Sequence, residues 1–188
     1  MQFFENYQQM VRDLAAPVED AMKRIKAFDE NTKNALEQTL FELQSMENNI
    51  DGFKKKIYYG KDFQPDLILA EIPDELRLPL SRIAGDAVRV QLLHAVLGIA
   101  SESIELLKAI LAEDLDLTNV AEELGDTAWY VTLGADACGT GLGTVLESNM
   151  KKLRNRYGAR WTQKAAIHRN LAAERQVLEQ SLEAGGEK

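Results

Sequence analysis

Cysteine is scarce in this sequence and long apolar runs are missing, and each shortage excludes a class of protein. The single cysteine, Cys138, excludes an internal disulfide and favours a reducing cytoplasm. The apolar run LLHAVLGIA is far shorter than the ~18 residues that a membrane span needs. The first residues, MQFFENYQQM, lack the basic start and apolar stretch of a secretory signal. We therefore expect a soluble, cytoplasmic protein with no membrane partner.

Positive charge is also in short supply. The chain has 188 residues with 22 Lys and Arg against 30 Asp and Glu, which gives a net charge of −8. An acidic chain of this kind is not expected to bind a nucleic-acid polymer as its main partner. Hydrophobic residues make up 45% of the chain, which is an ordinary globular share. The length is sufficient for one domain with a sizeable core.

Apolar residues recur at three- and four-residue spacing along nearly the whole chain, and this spacing predicts an all-α fold, an antiparallel helical bundle. Thr118 or Asn119 is the expected N-cap of one helix. The stretch 51–79 holds several Gly and Pro residues, so we predict a connector with one short helix there. The predicted helices cover 3–15, a stretch starting at Pro17, 29–49, 81–112, 118–138, 142–157 and 161–182.

The pattern also suggests a division of the chain. Residues 1–80 form N-terminal helices and an irregular connector, which we assign to the same domain as the core. Residues 81–160 form that helical core, and residues 161–188 form a helical tail. The core helices are apolar around most of their circumference, so they need more covering surface than one chain offers, and we expect an oligomer.

Acidic residues interrupt the most apolar predicted helix. The segment GIASESIELLKAI places Glu102 and Glu105 one turn apart on a narrow strip between apolar side chains. An unpaired buried charge is costly, so something must compensate these two carboxylates. One alternative is that they face water through a gap. Another is a Lys or Arg partner, although the local sequence offers only Lys108, which points elsewhere on the helical wheel.

The next helix repeats this acidic spacing. The segment NVAEELGDTAWYV places Glu123 and Asp126 one turn apart, with Glu122 alongside. Helices joined by a short loop normally pack antiparallel, so four carboxylates should converge between the two helices. Mg²⁺ and Mn²⁺ prefer carboxylate oxygens, and Mg²⁺ commonly completes its shell with substrate phosphates. The pattern therefore predicts a Mg²⁺ site, with Mn²⁺ as a possible substitute, and a polyphosphate ligand.

Two other functions stay open. A carboxylate-bridged di-metal redox protein would use Glu-x-x-His on paired helices. Neither of the two histidines, His94 and His168, lies three residues after a Glu, which weakens that interpretation. The other alternative is a non-enzymatic helical interaction protein, in which the acidic residues only decorate the surface.

A third helix supplies cationic groups. In VLESNMKKLRNRYGARW, Asn149, Lys152 and Arg156 fall on one helical face. Lys offers phosphate a point charge and Arg offers a planar fork of donors. This face can bind phosphate, or it can be a solvated basic surface.

The ordered set of motifs resembles the MazG-like, all-α nucleoside triphosphate pyrophosphohydrolases, a superfamily that includes the dimeric dUTPases. The resemblance rests on ExxE at Glu102–Glu105, seventeen residues of spacer, ExxD at Glu123–Asp126, and NxxKLxxRY at Asn149–Tyr157. It covers roughly residues 91–160, the predicted core, which it marks as catalytic.

The resemblance implies a function and roles for individual residues. The expected reaction is Mg²⁺-dependent cleavage of a nucleoside triphosphate, with a dNTP favoured, to the monophosphate and pyrophosphate by a homodimer or homotetramer. Glu102 or Glu122 would orient or deprotonate the attacking water. The expected metal ligands are Glu102, Glu105, Glu123 and Asp126, and the expected substrate contacts are Asn149, Lys152, Arg156 and Tyr157.

Two features depart from the family pattern. The family often continues RYP, whereas here the chain reads RYGARWT from Arg156. A basic KKxxxYGK stretch often lies between the two acidic motifs, whereas here FKKKIYYGK, residues 53–61, precedes both. We expect a basic surface loop; the alternative is that it reaches the acidic site from the other side or from a partner subunit. Trp129 and Tyr130 are expected in the core, with stacking on a base as the alternative. We interpret His94 as structural or as a substrate contact.

Overall fold

The computed structural model describes residues 2–14, 17–65 and 80–185, and within them every regular element is a helix, which confirms the all-α prediction. The helices are α1 (Gln2–Leu14), α2 (Val18–Lys26), α3 (Glu30–Ser45), α4 (Glu47–Tyr59), α5 (Leu80–Ala84), α6 (Ala87–Leu111), α7 (Leu117–Ala137), α8 (Leu142–Tyr157), α9 (Gln163–Ile167) and α10 (Leu171–Gly185).

The chain divides into two compact units. The terminal unit comprises Met1–Lys33 together with Gly139–Lys188, and the central unit comprises Asn34–Cys138. Helices α4 to α7 belong to the central unit, and α8 to α10 belong to the terminal unit with α1 and α2. The division into 1–80, 81–160 and 161–188 stays a prediction.

Helices α6 and α7 form the centre of the central unit and run antiparallel. A Cβ added to Gly98 on α6 would lie 2.1 Å from a ring carbon of Tyr130 on α7, and one added to Gly134 would lie 3.3 Å from the Cβ of Ala95. A residue nearer the N-terminus of α6 thus contacts a residue nearer the C-terminus of α7, as expected for antiparallel helices. Gly98 leaves the space that the Tyr130 ring fills, so the ring packs directly against the backbone of α6.

The helix boundaries differ from the sequence prediction at two N-termini. The predicted helix 81–112 is interrupted before α6, where Asp86 accepts hydrogen bonds from the backbone N–H groups of Val88 and Arg89. Asp116 caps α7 instead of Thr118 or Asn119, whose N–H groups both donate to the Asp116 carboxylate, at 2.8 and 3.3 Å. Several neighbouring side chains could cap this helix, and local sequence does not rank them.

The predicted connector at 51–79 is wrong in its first part. Residues up to Tyr59 continue the helix α4, which packs against α6 and ends at Gly60 in the left-handed conformation, with φ of 65°. The predicted helix 29–49 is correspondingly two helices, α3 and α4. The rest of the predicted connector, residues 66–79, lies outside the described residues.

In the terminal unit, α8 packs against α1, α9 and α10. The predicted single tail helix 161–182 is two helices, α9 and α10. Thr162 caps α9, and its hydroxyl accepts a hydrogen bond from the N–H of Ala165 at 3.2 Å. Glu174 of α10 is only 4% exposed and contacts α8 through Arg156. A buried ion pair thus joins α8 to α10.

Candidate active site

Three carboxylates from α6 and α7 converge in the central unit. Glu102, Glu105 and Glu123 each offer an oxygen within 4.8 Å of the others. Glu102 and Glu123 are each 6% exposed, and Glu105 is half-buried. Because α6 and α7 pack antiparallel, the ExxE motif of α6 lies against the start of the ExxD motif of α7. Three of the four carboxylates predicted to bind metal thus come together.

Asp126 and Glu122 lie at the edge of this site. Asp126 is exposed and, with Glu102, lines a cleft of about 330 Å³ that is also lined by Tyr59, Trp129 and Tyr130. Glu122 is exposed next to Glu123. Asp126 is therefore placed to reach a ligand in the cleft rather than to join the three converging oxygens directly.

The pKa values of Glu105 and Glu123 are both raised above their ordinary values. Burial, and then the charges of Glu105 and Glu102, raise the pKa of Glu123 above its ordinary value. Burial, and then the charge of Glu102, raise the pKa of Glu105. A group that holds its protons more tightly than usual in this way favours an added cation.

A lysine that the sequence analysis did not assign lies beneath the carboxylates. Lys54 of α4 is 5% exposed, and its ammonium donates to Ser101 Oγ at 2.7 Å and to Glu102 Oε1 at 3.1 Å. It also lies 3.3 Å from an oxygen of Asp51. The expectation of a basic surface loop at residues 53–61 is thus wrong, because this stretch is helical and reaches the acidic site within the same chain.

Lys54 compensates only part of the acidic charge. Burial alone would lower its pKa, but the hydrogen bond and the negative charge of Glu102 raise it above its ordinary value. Lys108, the partner considered from sequence, instead pairs with Glu47. One ammonium therefore faces three converging carboxylates. The departure of FKKKIYYGK from the family order was the only signal in the sequence that could have revealed Lys54.

Aromatic side chains form the wall of the cleft. Trp129 is 54% exposed, so its expected place in the core is wrong, whereas Tyr130 is buried as expected. His94 stacks on Tyr58 with ring centroids 3.9 Å apart, and its Nε2 lies 3.3 Å from the Tyr59 hydroxyl. Burial, and then the charge of Lys54, lower the pKa of His94, so the ring is a neutral packing element here.

The predicted substrate contacts all lie on α8, in the terminal unit. Asn149, Lys152 and Tyr157 are half-buried, and no described residue forms a hydrogen bond or ion pair with Lys152. Arg156 is held by Glu174, with Nε to Oε1 at 2.8 Å and Nη2 to Oε2 at 2.5 Å. Its guanidinium also lies 5.4 Å from the centre of the Tyr157 ring. Of the two cations on this face, Lys152 is thus the one without a protein partner among the described residues.

These features define an all-α protein whose site is built from carboxylates on two antiparallel helices. Residues 91–161 match the family model of the MazG nucleotide pyrophosphohydrolase domain. The match spans both acidic motifs and α8, and it confirms the resemblance over these residues. Comparison with curated proteins found no match, and neither did comparison with solved structures.

One helix raises the question of a membrane. Within the described residues, α6 alone is long and apolar enough to cross a bilayer, judged by length and composition only. Core helices of soluble proteins meet the same criterion, so a single helix of this kind is weak evidence. Helix α6 packs against α4, α5 and α7 and carries two of the converging carboxylates.

Proposed function

We propose that the protein is a nucleotide pyrophosphohydrolase that converts a nucleoside triphosphate, preferentially a dNTP, to the monophosphate and pyrophosphate in the cytoplasm. The observation that carries this proposal is the convergence of Glu102, Glu105 and Glu123, with oxygens within 4.8 Å, inside the region that matches the MazG domain. A helical interaction surface gives no reason to bury like charges together, because isolated acids are normally exposed.

The donor set fits a hard divalent cation. Mg²⁺ and Mn²⁺ are bound by carboxylate oxygens, and the pKa values of Glu105 and Glu123 are raised by burial first and by neighbouring carboxylates second. Glu102, Glu105 and Glu123 would hold Mg²⁺, or Mn²⁺ in its place, with Asp126 as the fourth proposed ligand at the cleft. When bound, such an ion neutralises charge on a phosphate chain and makes water more acidic.

The chain's own side chains supply the remaining roles. Glu122 is exposed beside the carboxylates, so it can orient and deprotonate a water, and Glu102 is the other candidate base. Trp129 offers an exposed ring to a nucleotide base at the cleft. Lys152 and Asn149 would hold phosphate or sugar, with Tyr157 beside them. Arg156 is the least available of the four proposed contacts, since Glu174 already occupies its guanidinium.

The proposed enzyme assembles as a homodimer or homotetramer. Support comes from large apolar side chains that α6 and α7 leave exposed, among them Val96, Ile110, Leu117 and Leu124. An isologous contact between two copies would cover such residues. Light scattering at micromolar concentration should give a multiple of the chain mass, and a monomer mass would remove this part of the proposal.

A nucleotide screen tests the proposed activity. Pyrophosphate and orthophosphate release are measured separately for ribo- and deoxyribonucleoside triphosphates with Mg²⁺, and pyrophosphate is the expected product. Glu105→Gln should abolish turnover, because it removes one of the three converging charges. Glu113→Gln serves as the matched control, since Glu113 is exposed outside the site.

Metal binding is measured in parallel through the melting temperature. An ion that binds only the native state stabilises it by about 2.7 kcal/mol at a hundred times its dissociation constant. Mg²⁺ or Mn²⁺ should therefore raise the melting temperature of the wild type and of Glu113→Gln, but not of Glu105→Gln. Absence of pyrophosphate release from every nucleotide, together with no metal response, would leave the helical interaction protein as the better interpretation.

A further inference from the structure

Lys54 occupies an unusual position for a lysine. Its side chain is 6% exposed, and it contacts Glu102, Ser101 and Asp51. Lysine is almost never fully buried unless it is paired, because its long side chain loses conformational freedom and its charge loses water. A lysine held this deeply should therefore affect the carboxylates that hold it.

Lys54 is not placed to contact a substrate directly. In the described part of the chain, the cleft beside Glu102 is lined by Tyr59, Asp126, Trp129 and Tyr130, and Lys54 is not among the lining residues. Its ammonium lies 5.1 Å from the centre of the Tyr130 ring, which is itself buried. Any influence of Lys54 on a ligand must pass through Glu102, so Lys54 is a candidate positioning residue.

The contacts of Glu102 show what Lys54 does to it. Lys54 donates to Oε1 of Glu102 at 3.1 Å, and the Ser101 hydroxyl lies 3.0 Å from the same oxygen. The other carboxylate oxygen, Oε2, has no hydrogen-bond partner among the described residues. One oxygen of Glu102 is thus anchored by α4, while the carboxylate as a whole remains next to Glu105 and Glu123.

Charge decides the effect on metal binding. The ammonium attracts the carboxylates that a divalent ion would need, and it repels the ion itself. Loss of the ammonium would remove the positive charge that the described residues place against the three converging carboxylates in the metal-free protein. Both effects should raise the affinity of the site for a divalent cation when the Lys54 charge is removed.

We propose that Lys54 is a built-in counter-cation of the carboxylate site, which stabilises the metal-free protein and lowers the affinity of the site for a free divalent ion. The proposal rests on the metal site of the proposed function. It implies that the site binds a divalent ion more tightly when nucleotide phosphates add further ligands than when the ion is offered alone.

The test replaces Lys54 in the full chain and measures metal binding without nucleotide. Lys54→Met keeps the length and apolar stem of the side chain but removes its charge. Lys56→Met is the matched control, because Lys56 lies on the same helix and is exposed, and its ammonium donates to the Phe63 carbonyl oxygen at 3.5 Å rather than to the acidic site. Mn²⁺ binding is followed by isothermal titration calorimetry, and the metal-free melting temperature is measured on the same samples.

Lys54→Met should bind Mn²⁺ at least about tenfold more tightly than the wild type and should melt at a lower temperature without metal. Lys56→Met should match the wild type in both measurements. If Lys54→Met does not fold without metal, Lys54→Gln, which keeps a donor but no charge, is titrated in its place. An unchanged or weaker Mn²⁺ affinity in the charge-free variant, with the wild type binding Mn²⁺, overturns the proposal for Lys54 alone. Absence of Mn²⁺ binding in every protein, wild type included, overturns the metal site as well.

Discussion

Two buried carboxylate sites, one in each unit, differ in how their charge is compensated. In the terminal unit, Glu174 is held by Arg156 and by Arg169, whose Nη2 lies 2.7 Å from Oε2. The hydrogen bonds from Arg156 and then Arg169 lower the pKa of Glu174 to about 2. Two guanidinium groups compensate the negative charge of this carboxylate, so the site has no need of an added cation.

The central unit shows the reverse balance. Three carboxylates converge there, and Lys54 supplies the one ammonium that contacts them from the described residues. The pKa values of Glu105 and Glu123 are raised by burial first and by neighbouring negative charge second. A carboxylate with a lowered pKa is compensated by its ion-pair partners, whereas buried carboxylates with raised pKa values beside a cleft are candidates for a functional site. The difference separates a structural contact from a candidate functional site without reference to the motif.

The comparison also divides the basic motif on α8. Lys152 has no hydrogen-bond or ion-pair partner among the described residues, while Arg156 already forms an ion pair with Glu174. The two cations lie on one helical face in the sequence, yet they differ in availability. Arg156 is therefore better suited to hold α10 against α8 than to bind phosphate, and Lys152 is the stronger candidate for phosphate.

The comparison is tested most strongly by neutralising one carboxylate in each unit. Glu174→Gln should lower the free energy of unfolding by about 3–5 kcal/mol, because it leaves two guanidinium groups without their buried partner. Glu123→Gln should leave the metal-free protein as stable as the wild type or more stable, because it removes a repelling charge. Urea unfolding of the three proteins without divalent ions gives both numbers.

Opposite results would break the comparison. A large loss in Glu123→Gln would mean that its carboxylate is already compensated in the metal-free protein. A negligible loss in Glu174→Gln would mean that the pair with Arg156 contributes little to stability. Glu179→Gln provides a surface control on α10, since its pair with Arg175 is exposed and such pairs contribute at most about 1 kcal/mol.

The sequence predicted the acidic half of the site because its determinants are local. Helical periodicity places Glu102 and Glu105 on one strip, and a short connection makes the next helix antiparallel, so Glu123 had to come close. Lys54 was missed because its contact with Glu102 joins residues 48 positions apart, and no periodicity encodes which lysine of α4 points inward. Glu174 was missed for the same reason, since its partner Arg156 lies 18 positions earlier on a different helix.

The predicted helix boundaries were wrong where several residues could serve as the cap or the end of a helix. Asp116, Thr118 and Asn119 can all cap a helix, and the structure selects the first. In the stretch before α6, Gly52 suggested a break, but this glycine lies within α4 at a place where an added Cβ would come within 2.2 Å of the Phe63 ring. A glycine needed for close packing and a glycine that ends a helix look alike in a sequence.

A second experiment sharpens the distinction between Lys152 and Arg156. Lys152→Ala should lower kcat/KM by roughly ten- to a hundredfold, since a charge-assisted contact to phosphate contributes about 1.5–3 kcal/mol. Its metal response and unfolding free energy should stay near those of the wild type. Steady-state kinetics on the best nucleotide from the screen, with a parallel metal titration, measures these quantities.

The matched control is Lys151→Ala, because Lys151 is exposed and pairs with Glu147 at 3.0 Å. It should retain wild-type kcat/KM. Arg156→Ala should instead lower the unfolding free energy, as Glu174→Gln does, because both remove the same pair. If Lys152→Ala retains wild-type kcat/KM, the face of α8 is only a solvated basic surface.

A further expected effect is a pH dependence that arises from Glu174 in the terminal unit. The pKa of Glu174 lies at about 2 in the folded protein, below its ordinary value of 4.5. A carboxylate with a depressed folded pKa contributes stability that is complete above the unfolded pKa and is lost as pH falls through the folded one. The wild type should therefore lose this contribution between pH 4.5 and about 2, while Glu174→Gln, already less stable, should show a shallower decline over that window. Melting temperatures of both proteins from about pH 6 to pH 2 measure the difference, in which the other carboxylates cancel because they titrate in both. Parallel curves would show that Glu174 keeps an ordinary pKa. The contrast between the compensated carboxylate of the terminal unit and the partly compensated ones would then rest on the central unit alone.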